Sequence, residues 1–283
     1  MARVTLHGCS NSLLLKSLFW KPCALSVSRR KAHKCSAPPA LSRAGETCGA
    51  AVKNLVSEQQ YSVLLAYLDQ VLEYNKHTNL TAIRDRDQAV ERHIHDCLAL
   101  LPVLDEHAGS VDERPLTLID VGSGGGFPGV VLAIARPQWQ VRMLDSLRKR
   151  CDFVQGAVAS LGISNAESLW GRAETLGQDA GHREAYDVAV ARAVADMRVL
   201  SELCLPFVRP GGHFVAAKGP EPAAEVAAAC NALEVLGGKL LGVEEVDSLS
   251  EEGRPRTAVV VRKDARTPQQ YPRREGKPSK RPL

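Results

Sequence analysis

Twelve consecutive residues concentrate the chemistry of this chain: Leu118-Ile119-Asp120-Val121-Gly122-Ser123-Gly124-Gly125-Gly126-Phe127-Pro128-Gly129. An apolar run enters a turn dense in glycine, where the missing Cβ permits positive φ and lets a ligand approach the backbone closely. Pro128 suits the first turn of a helix that follows. The next apolar run, Val141-Arg142-Met143-Leu144, ends in Asp145, 19 residues after Gly126. In open α/β sheets ligands sit at the carboxyl ends of strands, and an acid at this place can accept hydrogen bonds from both hydroxyls of a ribose. Turn and acid together predict a site for an adenosine-bearing cofactor, with Gly122, Gly124 and Gly126 in the turn and Asp145 at the ribose.

Two cofactors satisfy that description. Gly124 to Gly129 matches the G-x-G-x-x-G of dinucleotide sites, but Asp120, two residues before Gly122, gives a D-x-G-x-G-x-G arrangement typical of class I methyltransferases. An empty structural turn is the plainer alternative. No metal is expected. His93 and His95 stand two apart in a predicted helix, on different sides of it, and Cys97, Cys151, Cys204 and Cys230 form no Cys-x-x-Cys pair.

The elements that must position these residues follow from periodicity. Apolar residues at Val63, Leu64, Tyr67, Leu68, Val71 and Leu72 mark one face of a helix within 52–73, and a second helix over 87–101 is predicted to end at Pro102. Together they read as a helical cap, residues 51–110. From Leu116 strands and helices alternate: strands at 116–121, 140–144, 166–170, 186–191 and 213–217, with helices from Pro128 and at 146–161, 196–207 and 222–236. This is an α/β doubly wound sheet. Two last strands, 239–246 and 257–261, can pair as a terminal antiparallel hairpin through Glu251-Glu252-Gly253. The catalytic domain is therefore placed at 111–262 and a basic tail at 263–283.

Separated blocks carry a closer likeness: Tyr74-Asn75-Lys76-His77-Thr78-Asn79-Leu80-Thr81-Ala82-Ile83, Arg92-His93 with Asp96, the glycine turn, Leu144-Asp145-Ser146, Lys149-Arg150, Gly171-Arg172-Ala173-Glu174, Ala191-Arg192-Ala193-Val194-Ala195, Lys218-Gly219 and Tyr271-Pro272-Arg273-Arg274. In these, from about Leu55 to Leu283, the sequence resembles the RsmG (GidB) family of 16S ribosomal RNA guanine-N7 methyltransferases. The resemblance implies a class I methyltransferase (Rossmann-like) fold and S-adenosyl-L-methionine as cofactor. It places Gly122, Phe127, Asp145, Ala173, Glu174 and Arg192 around that cofactor. His93 and Asp96 are read as structural or pocket-lining groups.

Guanine N7 carries no proton, so a methyl transfer to it needs orientation and a dry pocket and no general base; orientation alone can supply roughly 7 to 11 kcal/mol. The absence of an Asn/Asp-Pro-Pro-aromatic loop and of a Pro-Cys nucleophile in the body agrees with that chemistry. The partner implied is small-subunit ribosomal RNA, or the assembling subunit, met by a monomer. A non-catalytic RNA-binding assembly factor on the same fold is the rival reading.

The formal net charge of +4 hides a division: residues 1–45 hold eight Lys or Arg and no acid, 46–261 net −10, and 262–283 net +6. RNA contact must then come from local cations. Arg148-Lys149-Arg150 at a helix start is one candidate, with Lys149 and Arg150 as the contacts, and the tail with Arg273 and Arg274 is the other, its prolines being expected to leave it unpacked and open to phosphate. The acid-free, Ser-rich leader, residues 1–50, has the composition of a transit peptide for the chloroplast, with the mitochondrion as the alternative. No run approaches the roughly 20 apolar residues of a membrane-spanning helix.

Overall fold

The computed structural model of the chain describes residues 52–108, 114–192 and 195–283. The leader, residues 1–50, lies outside the described residues, as do Ala193 and Val194.

Seven strands make one sheet: β1 (Thr117–Val121), β2 (Gln140–Asp145), β3 (Ala166–Trp170), β4 (Tyr186–Arg192), β5 (Val208–Lys218), β6 (Gly238–Leu249) and β7 (Pro255–Lys263). Their order is β3-β2-β1-β4-β5-β7-β6. β1 to β5 run parallel, and β7 enters antiparallel between β5 and β6. The period of two along the strands sends Leu118, Val188 and Val190 to one face and Ile119, Ala189 and Ala191 to the other, each into its own apolar cluster. The expected terminal hairpin is present, longer at both strands than the apolar runs alone suggested.

On the first face lie α1 (Glu58–Asn75), α2 (the run Arg86–Ala89, Val90–His95 and Asp96–Leu98), α3 (Leu101–Ala108), α4 (Gly129–Ala135) and α5 (Arg148–Ser160). The apolar spacing fixed the buried face of α1, but its start is set by a capping box, in which Gln60 N–H donates to Ser57 Oγ at 3.2 Å and Ser57 N–H to Gln60 Oε1 at 2.8 Å. The helix therefore begins at Glu58 and not at Val52. α2 is a composite, Arg86–Ala89, a π-helical Val90–His95 and Asp96–Leu98. Pro102 does not end it; this proline sits in the first turn of α3, where its missing N–H costs no hydrogen bond. The predicted cap thus shares the core of the sheet's first face.

The second face carries α6 (Ala173–Leu176), α7 (Met197–Cys204) and α8 (Ala223–Val235). The C-terminal tail docks here as well, which overturns the expectation that its prolines keep it from packing. Pro272 and Pro278 are buried, Tyr271 and Leu283 pack on the apolar cluster, and Lys277–Lys280 forms a short helix, α9, with Pro278 in its first turn. Proline removes a donor and leaves its carbonyl and its ring available. The tail's carbonyls find donors in the protein: Arg183 reaches Thr267 O and Tyr271 O, each at 2.7 Å, and Gln178 Nε2 reaches Pro272 O at 3.0 Å.

Candidate active site

The glycine turn leaves β1 with Gly122, Gly124 and Gly126 at φ of 79°, 58° and 85°. A Cβ on Gly126 would stand 2.3 Å from the Tyr67 hydroxyl, whose proton is donated to Gly125 O at 2.8 Å, so α1 presses the turn flat from behind. A Cβ on Gly129 would meet Met143 Cγ at 2.6 Å. Gly124 has nothing within 4 Å on that side. The turn is closed toward the core and open toward the cleft, as a backbone cradle for a ligand requires.

Asp145 lies under this turn, 6% exposed. Its Oδ2 accepts from Gly124 N–H at 3.0 Å and its Oδ1 from Leu147 N–H at 2.8 Å. Oδ2 also accepts from Arg150 Nη1 at 3.5 Å, whereas Oδ1 keeps a second lone pair, so the carboxylate fixes the turn and can still accept from a ligand. Asp120, wholly buried in β1, accepts from Gly129 N–H at 2.8 Å through Oδ2, while Oδ1 has no partner among the described residues. Burial pushes its pKa up to about 7, against the Gly129 hydrogen bond and the charge of Arg192.

In front of the turn opens a cleft of about 490 Å³, walled by Gly122, Gly124, Phe127, Leu80 to Ile83, Arg92, His93, Asp96 and Arg192. One connected set of contacts builds this wall. Asn75 Oδ1 accepts from Leu80 N–H and Thr81 N–H at 2.8 and 3.1 Å, which shapes the Asn79-Leu80-Thr81 loop. His93 stacks on Phe127 with ring centroids 4.6 Å apart and 11° between planes. Arg192, at the end of β4, donates to Arg92 O at 2.6 Å and to His93 Nδ1 at 3.2 Å. A guanidinium cannot accept, so Nδ1 is unprotonated, Nε2 carries the proton, and it is donated to Thr81 Oγ1 at 2.7 Å. Burial, with the nearby Arg192 charge, lowers the His93 pKa to about 4. The ring is neutral and both nitrogens are engaged. Asp96 is held by the Ser248 hydroxyl and by Arg256 at 3.3 Å; burial raises its pKa while these partners oppose the rise.

The residues singled out from sequence divide on this geometry. Gly122, Gly124, Phe127 and Arg192 line the cleft, with Gly126 and Asp145 directly behind it. Ala173 and Glu174 start α6 at the carboxyl end of β3 but do not line it; Glu174 Oε1 accepts from Gly276 N–H at 3.1 Å, turned to the tail. Lys149 is exposed. Arg150 is tied inward to Asp145 at 3.5 Å and to Asn79 O at 3.3 Å. Arg273 is turned inward: its Nε donates to both oxygens of Glu202, at 2.8 and 3.0 Å, and that acid is fully buried. Arg274, Lys277, Lys280 and Arg281 remain exposed. Thr81, Asn75 and Tyr67 are pocket-builders that sequence reasoning missed; Thr81 and Asn75 lie inside the quoted Tyr74 to Ile83 block, which was the available signal.

Five parallel strands with an antiparallel β7 beside β5, and a glycine cradle plus acid at their carboxyl ends, define a class I methyltransferase. Among solved structures the chain is similar to an O-methyltransferase from Bacillus cereus in complex with S-adenosylhomocysteine, at 16% identity and a TM-score of 0.48, over 75% of this chain and all of that one. Residues 60–252 match GidB, rRNA small subunit methyltransferase G. The chain belongs to this family, whose methyl donor is S-adenosylmethionine. Ribosomal RNA small subunit methyltransferase G of Moorella thermoacetica is 41% identical over 80% of this chain and 91% of its own length. That of Symbiobacterium thermophilum is 44% identical over 78% and 89%. Among the described residues no group of His, Cys, Asp and Glu is arranged to hold a metal ion, and no helix is long and apolar enough to cross a membrane.

Proposed function

We propose that the protein transfers the methyl group of S-adenosylmethionine to N7 of a guanine in small-subunit ribosomal RNA. The observation that carries this reading is the state of the cleft's titratable groups. His93 is neutral with both nitrogens engaged, and Asp96 is pinned by Ser248 and Arg256. Neither is placed to take a proton from an acceptor, and N7 has none to give up. The glycine turn and Asp145 would hold the cofactor, and the open side of Gly124 leaves room for it. When bound, the cofactor supplies a sulfonium-activated methyl group. The wall of Thr81, His93, Phe127 and Arg192 then orients the acceptor base and excludes water, the kind of positioning that accounts for a large share of such a barrier. The base must be splayed out of its surroundings to enter.

Incubating the protein with unmodified small-subunit RNA or subunits and labelled S-adenosylmethionine, then identifying the modified nucleoside by mass spectrometry, tests this. One N7-methylguanine per RNA is expected; methyl on another atom or on another RNA overturns it. We also propose plastid import from the acid-free leader. A reporter fused to residues 1–50 should enter plastids, and mitochondrial or diffuse signal counts against that.

A further inference from the structure

Three large apolar side chains are exposed among the described residues: Leu147 at 51%, Trp170 at 57% and Leu241 at 36%. Two of them meet at one place. β3 pairs with β2 so that Trp170 stands opposite Asp145, and the Trp170 indole N–H donates to Ser146 O at 3.2 Å, one residue before Leu147. The carboxyl edge of the sheet therefore presents an indole just outside the acid that supports the glycine turn.

This indole is held in place in advance. Its N–H is hydrogen-bonded, and the Arg148 guanidinium lies over one face of the ring, 4.9 Å from the centroid. Lys149 is exposed beside them and in no ion pair among the described residues, while Arg148 pairs with Asp152 at 3.8 Å. A fixed, largely exposed ring with a guanidinium over one face offers single-stranded nucleic acid its other face for a base and charge for the phosphate. Because the ring is already ordered, stacking on it costs little side-chain entropy. Nothing in the body's overall negative charge would otherwise favour RNA at this edge.

We propose that Trp170, with Arg148 and Lys149, forms a stacking platform for an unpaired base of the ribosomal RNA next to the base that enters the cleft. The proposal rests on the RNA substrate argued above and adds a contact surface outside the cofactor cleft. Stacking is indifferent to base identity, so the platform steadies the strand while the cleft selects the acceptor.

The test uses the full chain, a small-subunit RNA transcript and S-adenosylmethionine. Trp170→Ala should weaken RNA binding by about 5- to 160-fold, the range of one lost base stack, with the slope of log affinity against log salt unchanged. Trp170→Phe should restore most of the affinity. Lys149→Ala should instead lower that slope by roughly 0.7, the value of one single-strand phosphate contact. Calorimetric affinity for S-adenosylmethionine should stay the same in all three. The platform is overturned if Trp170→Ala leaves RNA binding intact, if it weakens the cofactor instead, or if the wild-type chain sediments as a dimer that Trp170→Ala dissociates. Failure of the function reading looks different: the wild-type protein would bind S-adenosylmethionine yet make no N7-methylguanine.

Discussion

The glycine turn and the C-terminal tail are both short segments with an obvious sequence character, and they behave oppositely. In the turn, residue type and position along the chain were enough, because glycine at positive φ is a backbone property and the following acid is reached through the next strand of a parallel sheet. In the tail the same kind of reading misled. Its charges and prolines suggested a free cationic arm, whereas Arg273 pairs with buried Glu202 and Arg183 collects its carbonyls. A segment's own composition reports what it can do locally; it does not report which partners wait elsewhere in the fold. The partners of the tail, Arg183 and Glu202, come from 71 to 88 residues away.

The largest effect should come from the tail. Arg273→Ala removes the counter-charge of the buried Glu202 carboxylate and leaves it only the backbone N–H of residue 273, which costs on the order of 3 to 5 kcal/mol. Urea denaturation should show that loss. A stability equal to wild type with weaker RNA binding would restore the free-arm reading and erase the contrast between the two regions.

On the turn side, Gly126→Ala brings a Cβ against Tyr67 and Val130. Overpacking of this kind costs about 1 to 3 kcal/mol, and left-handed strain adds roughly 1 to 2. Gly124→Ala, with open space before it, should show the strain alone. Equal melting temperatures for the two variants would mean that Tyr67 does not brace the turn.

Asp145→Asn should sharpen the comparison through the ligand. Loss of a charged acceptor costs about 1.5 to 3 kcal/mol of cofactor affinity, read by calorimetry with S-adenosylmethionine, with a smaller change in melting temperature. An unchanged affinity would remove Asp145 from the ribose.

A pH dependence is the smallest expected effect, and it belongs to the turn side, where His93 stacks on Phe127. The folded His93 titrates at about 4, so it stays neutral while the unfolded chain takes up a proton below the ordinary value of 6.5. Stability is therefore full above pH 6.5 and declines as the pH falls toward 4. Between pH 7 and 5.5 this amounts to about 1 kcal/mol. His213, lowered to about 4 by burial and by His107, acts in the same direction. Melting curves of wild type and His93→Gln at the two pH values should differ in slope; parallel shifts would deny His93 this role.

Much of the architecture was readable because strands of a parallel sheet buried on both faces are nearly continuous apolar runs, and the runs at 116–121, 140–144 and 186–191 all became strands. Helix limits were less so. Ser57 capping set the start of α1, and an internal π turn in α2 brought His93, His95 and Asp96 to buried positions that a regular helix would have spaced differently.

By itself the sequence determined the sheet, its glycine turn, the acid at the end of β2 and, through ordered blocks of residues, the family. Those features depend on residues close in the chain or on simple periodicity. Only the tertiary structure decided that His93 is a neutral link between Arg192 and Thr81, that Arg150 faces inward, and that Glu174 and Arg273 serve the tail's docking. These pairings span from 12 to 102 residues along the chain. A charged side chain leaves water only where the fold supplies a counter-charge or a donor, and its place in the chain does not name that partner.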